Sequence, residues 1–340
     1  MHWEISKNSQ NVLNQNLPKQ NGRPPDRFSL RRFKTFLLWG TSLFLLVPLI
    51  LSGWIWSYAH SPSTQDSEKI VLIPKGSGVR QIKTILGENG IINDDIRFLI
   101  LARITDRAGH LRAGEYLIHP GLTPLEILRL IEQGKVLRHQ VTIPEGMSTR
   151  QIIQILARDN WIKPDRFLAL TKDADFIRKI GFNLENLEGY LFPDTYTLTR
   201  DTVTEEKLIT MMTNRFQVIW NDLEQDLPAG LSRHQAITLA SIVEKETGMS
   251  DERPLIAQVF LNRLKKKMRL QSDPTVIYGL QENFDGDLTR KDLQQKNPYN
   301  TYVIDGLPPG PVCSPGRDSI LAVLHPADVP YLYFVSKNDG

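Results

Sequence analysis

Phe36 to Trp56 contains no charged residue. Its 21 positions, at roughly 1.5 Å per helical residue, reach about 31 Å, enough for the hydrocarbon core of a bilayer. A single transmembrane helix over 36–58 is therefore expected. Pro48 is expected to kink it without ending it, and Trp54, Trp56 and Tyr58 would sit at its far interface. Ahead of it, residues 1–35 are polar and poor in aromatics, a composition that predicts a disordered tail. Residues 59–67, His60-Ser-Pro-Ser-Thr-Gln-Asp-Ser67 at their heart, read as a linker.

Beyond the linker the apolar spacing alternates between strand-like and helical periods, which predicts an α+β fold. Val71-Leu-Ile-Pro-Lys-Gly-Ser-Gly-Val-Arg-Gln-Ile-Lys-Thr-Ile-Leu86 aligns without a gap on Val141-Thr-Ile-Pro-Glu-Gly-Met-Ser-Thr-Arg-Gln-Ile-Ile-Gln-Ile-Leu156, with nine of sixteen positions identical. Each copy predicts a short strand, a Pro-x-Gly turn and an amphipathic helix. Ser148 with Gln151 forms a capping-box pattern at the second helix start. Between the copies, Arg112 to Ile118 predicts a strand. Thr123-Pro-Leu-Glu126 then supplies an N-cap, a first-turn proline and a returning glutamate, and Gly134 closes that helix. The expected units are a small α+β module over 68–138 and a larger mixed domain over 139–340.

Charge changes the picture in one respect. The chain carries +3 overall, but residues 1–35 hold seven Lys or Arg against Glu4 and Asp26, which leaves about −2 for the remainder. Nucleic-acid binding by the folded part is not expected. Arg31, Arg32 and Lys34 beside the apolar run orient it with the N-terminus in the cytoplasm and the bulk of the chain outside. The sole cysteine, Cys313, can form no internal disulfide and is assigned no catalytic role. The seven histidines show no HExxH or other close pairing, so neither a metal nor another cofactor is expected.

Candidate chemistry concentrates after residue 233. His234 to Thr247 predicts a helix with Ala236, Leu239, Ala240 and Val243 on one face and Glu244 and Glu246 on that face's two flanks. Either carboxylate could be a rim charge paired with Lys or Arg, and either could be an acid. Glu188, Asp194 and Asp273 are candidates for a second carboxylate beside such an acid. Gln271, Asp273 and Thr275 could hydrogen-bond a polar ligand, although Asp before Pro274 equally begins a turn. Asn262 and Arg263 could orient an acid or form a structural pair with Asp251 or Glu252.

Ala240-Ser-Ile-Val-Glu-Lys-Glu-Thr247, Met268-Arg-Leu-Gln-Ser-Asp-Pro-Thr-Val-Ile-Tyr-Gly279, Glu188-Gly-Tyr-Leu-Phe-Pro-Asp-Thr-Tyr196, Val259-Phe-Leu-Asn-Arg-Leu264, Tyr299-Asn-Thr-Tyr302 and Gly306-Leu-Pro-Pro-Gly310 together resemble the signature of the YceG-like endolytic murein transglycosylases. The resemblance spans about residues 68 to 338. It implies that Glu246, before a hydroxyl residue, is the single essential acid, cutting the bond between N-acetylmuramic acid and N-acetylglucosamine to leave a 1,6-anhydro end. It implies substrate binding by Gln271, Asp273, Asn262, Arg263, Tyr190, Asn300 and Tyr302, and a LysM-like character for 68–138. It also implies an inner-membrane location with the catalytic domain outside, glycan strands as substrate and peptidoglycan synthases as partners. Family members continue past a strand at Tyr331 to Val335 with a Gly-x-His-x-Phe stretch and a helix, so the C-terminus is expected to be short. The rival readings are a peptidoglycan-binding scaffold that leaves strands intact and a muramidase that leaves reducing ends.

Overall fold

The structure, a computed structural model, describes residues 27–335 except 64, 224–226 and 229, with side chains from Thr35 onward. The polar leader 1–26 lies outside the described residues. Helix α1 spans Arg27–His60 with Pro48 inside it. It begins well before the expected start of the span, because Arg27 to Lys34 contains neither Gly nor Pro and extending an existing helix costs far less than nucleating one. From Thr35 to His60 it is long and apolar enough to cross a membrane.

The expected linker is not loose. Tyr58 and Ala59 are buried, and the Arg97 guanidinium lies 5.5 Å from the Trp54 ring centre and 4.5 Å from that of Tyr58. Ser63 N–H donates to the Leu122 carbonyl at 3.0 Å, and Gln65 Nε2 donates to the carbonyls of Ile118 and His119. These long-range backbone acceptors tie the linker down.

After it come β1 Lys69–Ile73, α2 Val79–Glu88, α3 Arg97–Ile104, β2 Gly114–Ile118 and α4 Pro124–Gln133. β1 pairs antiparallel with β2, Val71 facing Tyr116, and Ile82, Leu86, Phe98, Ile127 and Leu128 close one core beneath them. α4 has the capping box anticipated for Thr123 and Glu126, with Gly134 left-handed at φ 65°.

A second core gathers β3 His139–Thr142, α5 Thr149–Arg158, α6 Pro164–Leu170, α7 Ala174–Lys179, β4 Thr195–Leu198, α8 Glu205–Leu223, α9 Arg233–Glu246, α10 Arg253–Lys265, α11 Asp273–Leu280 and α13 Arg317–Leu324, while α12 Arg290–Gln294 buries no residue. β3 pairs antiparallel with β4, Val141 facing Tyr196. The mixed α+β class holds for the described residues.

α9 departs from its expected amphipathic form. Every residue from Ala236 to Val243 is buried, so the helix runs through the middle of the core rather than along its surface. Its polar members are reconciled with burial by bonding locally: Thr238 Oγ1 donates to the His234 carbonyl and Ser241 Oγ to that of Thr238. Asp273-Pro274 proves to start a helix instead of a turn, with the proline in the first turn where its missing N–H costs nothing. The strand expected at 331–335 is irregular backbone, since side chains of α10 rather than a neighbouring strand take its carbonyls.

Candidate active site

Glu246 is the last residue of α9, and its surroundings act on its carboxyl in both directions. Burial raises its pKa above the ordinary carboxylate value. Ser272 Oγ donates to Oε1 at 2.5 Å and Arg263 lies near, both lowering it, while the negative Asp273 raises it; the net direction is upward. Its place at a helix C-terminus, where the macrodipole is negative, works in the same upward direction. A carboxyl of this kind holds a proton to higher pH than a solvated one and remains half-exposed.

Glu244, the other candidate, is used differently. Its side chain is 7% exposed, accepts from Gly316 N–H at 2.9 Å and lies 3.6 Å from Arg253. A carboxylate with its lone pairs already committed to a buried cation and a backbone donor positions the loop before α13 and is poorly placed to deliver a proton.

The segment beneath Glu246 is fastened from the far end of the domain. Gln271 N–H donates to the Thr301 carbonyl, Ser272 N–H to Thr301 Oγ1, and the Thr275 hydroxyl to the Ser272 carbonyl. Thr301 and Thr275 are fully buried and Ser272 is 1% exposed. Thr275 therefore belongs to this brace and not to a sugar-facing surface. Gln271 adopts φ 50°, a left-handed conformation disfavoured for a residue with a Cβ, and its side chain is exposed. Asp273 is exposed and accepts from the Tyr302 hydroxyl at 2.6 Å. The structure thus brings together Glu246, Gln271, Ser272, Asp273 and Tyr302. Among them Ser272 had no assigned role, since a contact across 26 residues leaves no local trace in sequence.

The remaining expected binding residues do other work. Tyr190 is 2% exposed, packs edge-on against Phe216 and Phe182, and shares a 2.9 Å hydrogen bond with His234 Nδ1. Asn300 is 1% exposed; its amide donates to the carbonyls of Asp292, Leu293 and Gln295 while its oxygen accepts from Tyr302 N–H. It holds Tyr302 in place. Asn262 Nδ2 donates to the carbonyls of Val329 and Tyr331, and Arg263 to those of Leu332 and Leu270. These two organise the chain around the site, and Arg263 reaches Glu246 only through its charge. The alternative pairing with Glu252 does not form; Glu252 accepts from Thr247 Oγ1 at 2.6 Å.

Of the second-carboxylate candidates, Asp273 is the one beside Glu246. Asp194 pairs with Arg215 at 2.6 Å. Glu188 is 7% exposed, and its oxygens accept from Thr149 N–H at 2.9 Å and Tyr278 Oη at 3.1 Å. Burial pushes its pKa up to about 7. Cys313 is in the core, its thiol donating to the Ser241 carbonyl.

The chain is similar to known proteins over most of its length. An endolytic murein transglycosylase of Bacillus subtilis is 33% identical over 297 residues, 82% of each chain. One from Streptococcus pneumoniae is 29% identical over 335 residues, and this chain spans 60% of that longer relative. The crystal structure of a yceG-like protein from Listeria monocytogenes, 33% identical, superposes with a TM-score of 0.53 over 80% of this chain and 95% of that one. With the family's own sequence model matching residues 71–340, from β1 through both cores, the chain belongs to the YceG-like family.

Proposed function

We propose that this protein is an endolytic peptidoglycan lytic transglycosylase with Glu246 as its acid. The observation that carries this reading is the half-buried Glu246 carboxyl, its pKa raised by burial and by Asp273, held by Ser272 at the end of α9. The Bacillus and pneumococcal relatives bearing that name support it. In the reaction, protonated Glu246 gives its proton to the oxygen joining muramyl C1 to the next sugar, and that bond breaks. The resulting carboxylate takes the proton of the muramyl 6-hydroxyl as its oxygen bonds to C1, so that no water is consumed and a 1,6-anhydro end forms. Asp273, exposed beside the acid, stabilises the positive charge that develops on the sugar ring. Gln271 and Tyr302 line the same side and contact the strand.

The muramidase reading has one observation in its favour, the presence of that second carboxylate. Mass spectrometry of products from uncrosslinked glycan strands, with wild type beside Glu246→Gln, decides among the readings. Anhydromuramyl ends from wild type, reduced at least 10²-fold in the variant, are expected. Reducing ends would make it a muramidase, and intact strands a scaffold.

The same proposal extends to location and organisation. α1 anchors the protein once in the plasma membrane with the basic N-terminus inside, 68–138 is a LysM-like module at the membrane surface, and 139–340 is the catalytic domain facing the wall. The basic flank of the apolar helix and the two separate cores support this. Synthases that extend the strand are the expected partners, because their product is the substrate.

A further inference from the structure

A cavity of about 550 Å³ opens beside the acid without including it. Glu246, Ser272, Asp273 and Tyr302 do not line it, but their chain neighbours Lys245 and Pro274 do. Its volume lies within the roughly 300–1,000 Å³ of typical small-ligand sites. Lys172 and Lys245 bring ammonium groups that form no ion pair among the described residues; Lys245 has only a 3.5 Å contact to the Gly146 carbonyl. Thr149 lines the cavity as a residue 5% exposed, its buried hydroxyl turned to the Glu188 carboxyl. The remaining wall is mixed, with Gln154 offering both amide functions and Tyr278 and Tyr299 offering ring faces. Glu188 accepts from Thr149 N–H and Tyr278 Oη.

Unpaired cations, an amide and aromatic faces around one hollow fit a short acidic peptide better than a bare sugar. We propose that this cavity binds the carboxylate-bearing peptide of the glycan strand, with Lys172 and Lys245 receiving its carboxylates and Gln154 its amides. The inference rests on the reading of Glu246 as the acid that cleaves at muramic acid. Muramic acid is the sugar that carries the peptide, so a peptide entering the cavity would fix which glycosidic bond lies at Glu246. Substrate selection would then come from a hollow separate from the acid.

Strands carrying peptides, and the same strands stripped of them by an amidase, test this on the full-length protein in detergent. Lys172→Glu, at an exposed position where charge reversal is compatible with folding, is expected to raise KM about tenfold on peptide-bearing strands. Its kcat, and its cleavage of stripped strands, should stay as in wild type. An equal change on both substrates, or on neither, overturns the proposal. Binding is read independently by calorimetry with N-acetylmuramyl-L-alanyl-D-glutamate in the Glu246→Gln background, where no turnover occurs. Binding lost on adding Lys172→Glu or Gln154→Ala supports the peptide site even if no strand is cleaved. No binding of this probe, or displacement by inorganic pyrophosphate alone, assigns the cavity to another anion and overturns the peptide.

Discussion

The two copies of the strand–turn–helix repeat start alike and end in different company. In each, a valine on the first strand faces a tyrosine on its antiparallel partner, Val71 with Tyr116 and Val141 with Tyr196. In each, that tyrosine hydroxyl returns to the carbonyl four residues earlier, of Arg112 or of Phe192. The first Pro-x-Gly turn is exposed, and a Cβ at Gly76 would meet nothing within 4 Å. The second is pressed on the chemistry: Gly146 N–H donates to the Ser314 carbonyl, Ser314 N–H returns to Met147, and Glu244 and Lys245 lie against Gly146. α2 starts at Gly78 with no side-chain cap, whereas α5 starts at Ser148 with a full capping box and takes Glu188 onto Thr149 N–H. One turn thus lies open, and the other is packed against the end of α9 and the loop before α13. The difference lies in what each helix start is fastened to.

The largest break in that comparison comes from Glu188, which fastens only the second copy. With its pKa pushed up to about 7 in the folded protein, against an ordinary value of 4.5, the folded state keeps a proton that the unfolded chain releases between those two pH values. Stability from this group is therefore fullest below pH 4.5, falls as pH rises and levels off above 7, a change of about 3 kcal/mol. Thermal unfolding of wild type beside Glu188→Gln, at pH 5 and pH 8, is the measurement. The variant should lose most of the pH difference, and an unchanged slope would show that Glu188 is not the group responsible.

A smaller effect is expected where the second copy's partner helix ends, at Glu246. Its raised pKa predicts a pH–rate profile whose alkaline limb lies above the ordinary carboxylate range, since the acid works only while protonated. Removing the Ser272 hydroxyl withdraws a bond that favours the charged form, so Ser272→Ala should move that limb to higher pH. Asp273→Asn removes a like charge and should move it lower. Shifts in opposite directions are expected. Movement the same way in both variants would place the titration on another group.

Local chemistry was the legible part of this molecule. Thr123 with Glu126 and Ser148 with Gln151 are contacts three residues apart, and the helices start where those pairs predict. The apolar run that became α1 and the strand–turn–helix repeats were equally readable, because their periods are set by backbone geometry. Burial of α9 on all sides was not, since Thr238 and Ser241 look polar until their hydroxyls are seen to be spent within the helix. Tyr190 and Asn300 sit in motifs rich in turn residues, yet one fills the core and the other holds three carbonyls. Neither use has a sequence period. Ser272 escaped assignment for a related reason, as its value depends on a fold that brings α9 onto the start of α11.

The smallest prediction restores the likeness between the copies. At the offset that aligns them, Gly78 stands where Ser148 stands, and Gln81 where Gln151 stands, so Gly78→Ser would complete the capping box that α2 lacks. Gly78 has φ −75° and ψ 164°, which any residue adopts, and an added Cβ meets nothing within 4 Å. The gain should be a few tenths of a kcal/mol, because glycine is already a tolerable N-cap, whereas Ser148→Ala should cost about 1 kcal/mol. Both are read as shifts in the thermal midpoint, the first upward and the second downward. A loss at Gly78→Ser would mean that the two helix starts differ in more than one hydroxyl, and that the repeat ends earlier than its backbone shows.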